Sequence, residues 1–228
     1  MIDHVRDLGA VREATDRLLS AAGELDDRSL AEPSRLPGWS RGHVLAHLSR
    51  NADALVNVLR GRPMYASSET RDQDIARDAS RPLDEHLADL RGSAAGFLQA
   101  AAGTADWART VTLRNGVTDS ASRIPFRRLI EVELHHVDLG TGYELEDLAE
   151  DFVTRETGFL AQRFTGHPGV VATTVVAEGR TWTTGGGAAG GPVTVRGTAA
   201  EVLGWLCGRR DGSALIVEGG PLPVLPPL

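Results

Sequence analysis

The chain has 228 residues, 41% of them apolar and 24% charged, with a formal net charge of −7. That length allows one large domain or two modest ones, each with a core, and its mixed charge excludes a disordered chain. The acidic balance excludes a general affinity for nucleic acid, which needs basic surface against phosphates, yet it is compatible with a locally positive pocket for an anionic small molecule.

All 24 basic residues are arginine, beside abundant alanine and 26 glycines, the bias of a GC-rich genome. The one cysteine, Cys207, excludes an internal disulfide and a CxxC metal site. MIDHVRDLGA lacks the basic and apolar regions of a signal peptide, and no run reaches the ~18 apolar residues of a membrane span. A cytoplasmic protein without a membrane partner is expected.

In chain order, VRDLGAVREATDRLLSAAGEL places Val5, Leu8, Val11, Ala14, Leu18 and Leu19 at helical spacing. SRGHVLAHLSRNADALVNVLRG predicts a second helix, from Ser40 as N-cap to Gly61. Residues 61–80 are polar without a clean period and read as a long connection, a kind of segment that is often functional. RPLDEHLADLRGSAAGFLQAAAG predicts a third helix with Pro82 near its start, and a fourth runs from Pro125 to Leu139 with Gly140 as its stop. Four helices with long connections predict a bundle.

Beyond residue 150 the pattern changes. DFVTRETGFLAQRF is one more amphipathic helix, and VVATTVVAE, TWTT and GPVTVRG are β-branched, glycine-bounded strands. GGGAAGG between them reads as a hairpin or loop. TAAEVLGWLCGRR predicts a helix, SALIVEG a last strand and PLPVLPPL a tail. The expected fold class is α+β, with residues 1–150 a helical bundle and residues 151–228 a small α+β domain.

The chemistry concentrates in RLIEVELHHVDLG. Glu131 and His135, four apart, share a helical face, with Arg127 and Asp138 on or near the same stripe. Phe126, Ile130, Leu134 and Val137 form an adjacent apolar stripe. An ExxxH pair is either a surface ion pair or part of a metal site. His43 and His47 on the second helix are also four apart, and His47 lies among Val44, Leu45 and Leu48. Were the two helices neighbours, His47 would complete a His2Glu set with an open fourth position, the pattern of a catalytic zinc. Val44 after His43 excludes the HExxH metalloprotease helix.

LPGWSRGHVLAHLSRNADALVNVLRG, MYASSETRDQDI, IEVELHHVDLG and WLCGRRDG together resemble the mycothiol-dependent maleylpyruvate isomerase family of actinobacteria, one of the DinB-like metal-binding bundles. The resemblance covers essentially the whole chain. It implies a divalent metal, usually zinc, held by His47, which stands eight residues after Trp39, together with Glu131 and His135. It also implies a catalytic arginine, here Arg209, though Arg210 is adjacent and a helix C-terminus favours a solvated cation in any case.

The other candidates have plainer readings. His136 points about 100° away from His135 and reads as packed or supporting. Asp138 either orients a ligand histidine or caps local backbone. His43 reads as structural or pocket-lining, Cys207 as a buried small hydrophobe and Trp39 as an anchor for the helix start. His4, His86 and His167 default to the surface. Arg71 and Asp74 are candidate pocket residues.

The resemblance further implies a zinc- and mycothiol-dependent isomerisation of maleylpyruvate to fumarylpyruvate in gentisate breakdown. Thiolate addition converts the cis double bond to a single bond, rotation follows, and elimination gives the trans isomer. Metal coordination would lower the thiol pKa from about 8.5, and an arginine would hold a carboxylate or the enolate. Two other readings stand beside it: a mycothiol S-transferase acting on another electrophile, and a non-catalytic binding protein cross-linked by its metal. The oligomeric state is left open, a monomer being compatible.

Overall fold

The computed structural model describes residues 3–227; Met1, Ile2 and Leu228, the last residue of the tail, lie outside the described residues. Asp3 accepts the backbone N–H of Arg6 and starts helix α1 (His4–Ala22), whose Val11, Ala14 and Leu18 are buried. After the single turn α2 (Asp27–Leu30), Ser40 caps helix α3 (Arg41–Leu59), and His43 caps back onto the Ser40 backbone. Helices α4 (Ser68–Asp78), α5 (Leu83–Ala102) and α6 (Ile124–Asp138) complete the N-terminal unit. Helix α3 packs on α5 and α6, and α1 packs on the same two, so α1, α3, α5 and α6 close a four-helix bundle.

The fifth long helix, α4, corrects the expected connection over residues 61–80. Its only buried apolar residue within the helix is Ile75, so it carries no amphipathic stripe. It docks instead through Asp78, fully buried, whose carboxylate meets Arg77 at 2.8 Å, Arg81 at 2.7 Å and Arg50 of α3 at 3.6 Å. Apolar periodicity cannot register a helix seated by ions.

Helix α4 ends against the start of α3. A Cβ on Gly42 would collide with the carbonyl oxygen of Ala79, which is backbone and cannot rotate away. Gly42→Ala is therefore expected to cost about 1–3 kcal/mol as overpacking and to lower Tm by roughly 2–12 °C. An unchanged melting curve would show that α4 moves off α3 without cost.

Between α5 and α6 the chain forms a small hairpin, β1 (Thr110–Thr112) with β2 (Thr118–Ser120), that the sequence reading omitted. Its turn places Asn115 at φ 59° and Gly116 at φ 72°, the positive-φ pair of a type I′ turn.

Contacts divide the chain into Met1–Tyr143 and Glu144–Leu228. That boundary lies before the expected break at residues 150 and 151. Leu145, in a short 3-10 turn, is 3% exposed and packs with the C-terminal unit's own helix near Gly204. One turn is too short to show a period.

In the second unit, helix α7 (Glu150–Arg163) precedes β3 (Thr173–Ala177), β4 (Arg180–Thr184), β5 (Val193–Gly197), α8 (Ala199–Leu206) and β6 (Ile216–Glu218). The sheet order is β4-β3-β5-β6, with β3 and β5 parallel and the outer pairs antiparallel. GGGAAGG therefore carries the chain across β3 as a loop rather than a hairpin. Buried Val175, Ala177, Val193 and Val195 alternate along β3 and β5, and α7 and α8 pack on the sheet. The architecture is α+β: a helical bundle unit and a mixed-sheet unit. Among the described residues no helix is long and apolar enough to cross a membrane.

Candidate metal centre

The Ser40–His43 capping box fixes where α3 begins and so the phase of its later residues. One turn on from His43, His47 faces α6 and is 5% exposed. The Trp39 ring lies 5.4 Å from the His47 ring, so the residue expected to anchor the helix start also walls the site. His43 is occupied by its cap, with Nδ1 2.8 Å from the Ser40 hydroxyl, and does not join.

On α6, Pro125 sits in the first turn, and Glu131 and His135 follow one turn apart. Glu131 Oε2 is 2.9 Å from His47 Nε2 and 3.3 Å from His135 Nε2. The two imidazoles meet edge to face at 4.6 Å. Two nitrogen donors and one carboxylate oxygen thus lie within 4.8 Å of one another, the only such group of three among the described residues. His135 Nδ1 donates to Asp138 Oδ2 at 2.8 Å, and Asp138 is fully buried. This is the kind of carboxylate contact that fixes the tautomer of metal-bound histidines, and it is the contact the orienting reading of Asp138 requires.

The electrostatics suit a cation. Burial drives His47 down to about 4, against its hydrogen bond to Glu131. Burial likewise opposes charge on Glu131, but hydrogen bonds from His135 and His47 outweigh it and hold the carboxyl well below its usual range. For His135, burial is outweighed by Asp138 and Glu131, and its pKa rises. His47 is thus neutral and Glu131 ionised, the forms a metal ligand must adopt, whereas His135, held by both Asp138 and Glu131, has to give up its Nε2 proton to coordinate.

Arg71 of α4 reaches the same site, with Nη2 donating to His47 Nδ1 at 3.3 Å. Its guanidinium lies 5.9 Å over the Tyr65 ring. Burial and then the charge of Glu131 raise the Tyr65 phenol. Tyr65 also lines a cavity of about 540 Å³ with Arg62, Ser67, Arg109 and Arg114. Asp74 does not take part; it pairs with Arg77 at 2.6 Å.

The remaining histidines lie elsewhere. His136 is buried on another face and stacks on Tyr143 at 4.1 Å, while Tyr143 donates to Glu133 at 2.9 Å. His86 is 2% exposed, a correction to the surface position expected of it: it falls on the inner side of α5. His4 stacks on Trp107, and His167 Nδ1 accepts the Gly169 N–H.

Cys207 is buried at the end of α8. Gly208, at φ 73°, turns the chain out of the helix, and the two arginines that follow diverge. Arg210 is bound to Glu146 through both carboxylate oxygens and to Glu201. Arg209 donates Nη1 to the Cys207 carbonyl at 2.9 Å and lines a cavity of about 570 Å³ with Trp205, Asp211 and Leu222.

Residues 11–140 match the mycothiol maleylpyruvate isomerase N-terminal domain, and residues 147–227 match the C-terminal domain of the same family. Among solved structures, the chain is similar to the mycothiol-dependent maleylpyruvate isomerase at 25% identity and a TM-score of 0.90, over 99% of this chain and 97% of that one. A histidine-to-alanine mutant of that isomerase matches with the same figures. A search of curated proteins finds no match.

Proposed function

The chain belongs to the mycothiol maleylpyruvate isomerase family, and from that membership we propose that it is a metal-dependent, mycothiol-dependent isomerase that converts maleylpyruvate to fumarylpyruvate. The observation that carries this reading is the convergence of His47, Glu131 and His135 from two helices. A His2Glu donor set with a supporting carboxylate fits zinc or a similar divalent ion and leaves room for a further ligand. When bound, the metal would lower the pKa of a coordinated thiol, and the thiol would supply reversible addition to the alkene.

The chain's own residues do the rest. With the metal bound, Asp138 would keep the one remaining His135 proton on Nδ1, so that Nε2 would present its lone pair to the ion. Glu131 brings the one negative charge of the donor set. Trp39 covers the His47 ring and keeps water from that side. Arg209, lining its cavity with a guanidinium suited to planar carboxylates, is assigned to the substrate anion or the enolate. The diversion of Arg210 into ion pairs with Glu146 and Glu201 supports Arg209 over its neighbour. The partners proposed are a small anionic substrate and a thiol cofactor.

The test is turnover of maleylpyruvate by zinc-loaded protein with and without mycothiol. Fumarylpyruvate is expected to form only with both metal and thiol present, and mycothiol to be recovered unchanged. Full activity after demonstrated metal removal overturns the reading. Consumption of mycothiol as a stable adduct replaces isomerase by S-transferase.

A further inference from the structure

Arg71 donates Nη2 to His47 Nδ1, and the opposite nitrogen, Nε2, faces Glu131. A neutral imidazole carries one N–H. With Nδ1 accepting from Arg71, that hydrogen resides on Nε2 and points at Glu131. A metal ion on Nε2 requires the lone pair there, which moves the hydrogen to Nδ1. Two donors, Nδ1–H and the guanidinium N–H, would then face each other, and the contact between Arg71 and His47 cannot persist. Of the other partners of Arg71, Tyr65 lies beneath the guanidinium, and Asp72 meets Nη1 at 2.6 Å but is 65% exposed, a rim pair of little strength.

The released guanidinium would stay where it is held. Arg71 has a side chain only 13% exposed, lies over Tyr65, and sits on α4, which the buried Asp78 cluster fixes against α3. Tyr65 also lines the neighbouring cavity, whose other walls include Arg62 and Arg114. A planar fork beside a metal and a basic cavity matches a small carboxylate in geometry and charge.

We propose that Arg71 is a substrate-binding residue whose guanidinium rests on His47 Nδ1 in the metal-free protein and turns to a substrate carboxylate once His47 coordinates through Nε2. The inference deepens the proposed function and rests on it. It gives the bundle unit a substrate-binding arginine of its own, in addition to the role assigned to Arg209 of the second unit.

The experiment compares full-length wild type, Arg71→Gln and Arg71→Lys by calorimetry, with zinc and then maleate as probes. Maleate binding is measured with and without zinc. Zinc affinity is expected to be at least as high in Arg71→Gln as in wild type, because the contact that zinc must break is absent. In the zinc-loaded state Arg71→Gln is expected to bind maleate about tenfold more weakly than wild type, with Arg71→Lys in between, a loss typical of one charge-assisted hydrogen bond. Without zinc the difference shrinks to less than threefold, because the wild-type guanidinium is engaged by His47. Equal maleate affinity in zinc-loaded wild type and Arg71→Gln overturns the inference alone. So does an equal loss with and without zinc, the signature of a merely structural arginine. Failure of the wild type to bind zinc overturns the proposed function together with it. Thermal melts identify a misfolded variant, and Arg71→Lys then carries the comparison.

Discussion

Glu131→Gln is expected to weaken zinc binding on the order of 10³-fold while leaving the helical unit folded. Glu131 supplies the only negative charge among the three donor atoms, and both histidine nitrogens turned toward it lie within 3.3 Å. An amide keeps the shape and one oxygen but removes that charge. The metal-free fold should lose some stability, because a carboxyl held well below its usual range stabilises the folded state at neutral pH, yet it should persist, since the amide keeps the shape and one acceptor oxygen. Asp138→Asn provides the graded comparison: it disturbs the His135 tautomer without removing a donor, and about 10–100-fold is the usual cost of losing such support. Zinc affinity by chelator competition, paired with melting curves on the metal-free proteins, reads both effects. Wild-type zinc affinity in Glu131→Gln would remove Glu131 from the ligand set. A larger loss in Asp138→Asn than in Glu131→Gln would exchange their roles.

The core of this site was legible because its signals are local. A four-residue interval puts Glu131 and His135 on one face whatever the rest of the fold does, and His47 shares its helix with an apolar run. What joins the two helices is packing, which spacing cannot supply; the GW-to-histidine motif supplied it through the family resemblance. Arg71 was only a candidate because its helix is seated by Asp78 and three arginines, and ion clusters leave no period. Asp138 stood undecided between two roles, since a carboxylate three residues beyond a histidine can reach either the ring or the backbone. The β1–β2 hairpin does carry a local signal, the Asn115–Gly116 pair, which favours a type I′ turn. Leu145 had none, being the buried residue of a single turn.

Arg128 sets the second large expectation, and here the size depends on the replacement. The side chain is fully buried one turn before Glu131, and Nη1 donates to the Leu48 carbonyl and to Asn51 Oδ1, each at 2.8 Å. Its Nε and Nη2 find no hydrogen-bond partner among the described residues. Burial accordingly pulls the guanidinium down to about 10, with Glu131 as the largest opposing influence. A base whose folded pKa is depressed below its unfolded value costs stability at neutral pH, and that cost is relieved only as pH rises past the folded pKa. Arg128→Ala removes the charge but also leaves a cavity and strands the buried Asn51 oxygen, and it is expected to destabilise by about 3–5 kcal/mol. Arg128→Met keeps most of the volume and removes the same charge but strands the same Asn51 oxygen, so it is expected to lose about 1–2 kcal/mol, clearly less than Arg128→Ala. The methionine variant should bind zinc at least as tightly as wild type, because a cation beside Glu131 competes with the metal for that carboxylate. Urea unfolding of the three proteins separates the possibilities. If Arg128→Met loses as much as Arg128→Ala, the two hydrogen bonds to α3 hold the helices together and the charge is incidental. If it does not, the buried charge of Arg128 costs the fold stability that its two hydrogen bonds to α3 only partly offset.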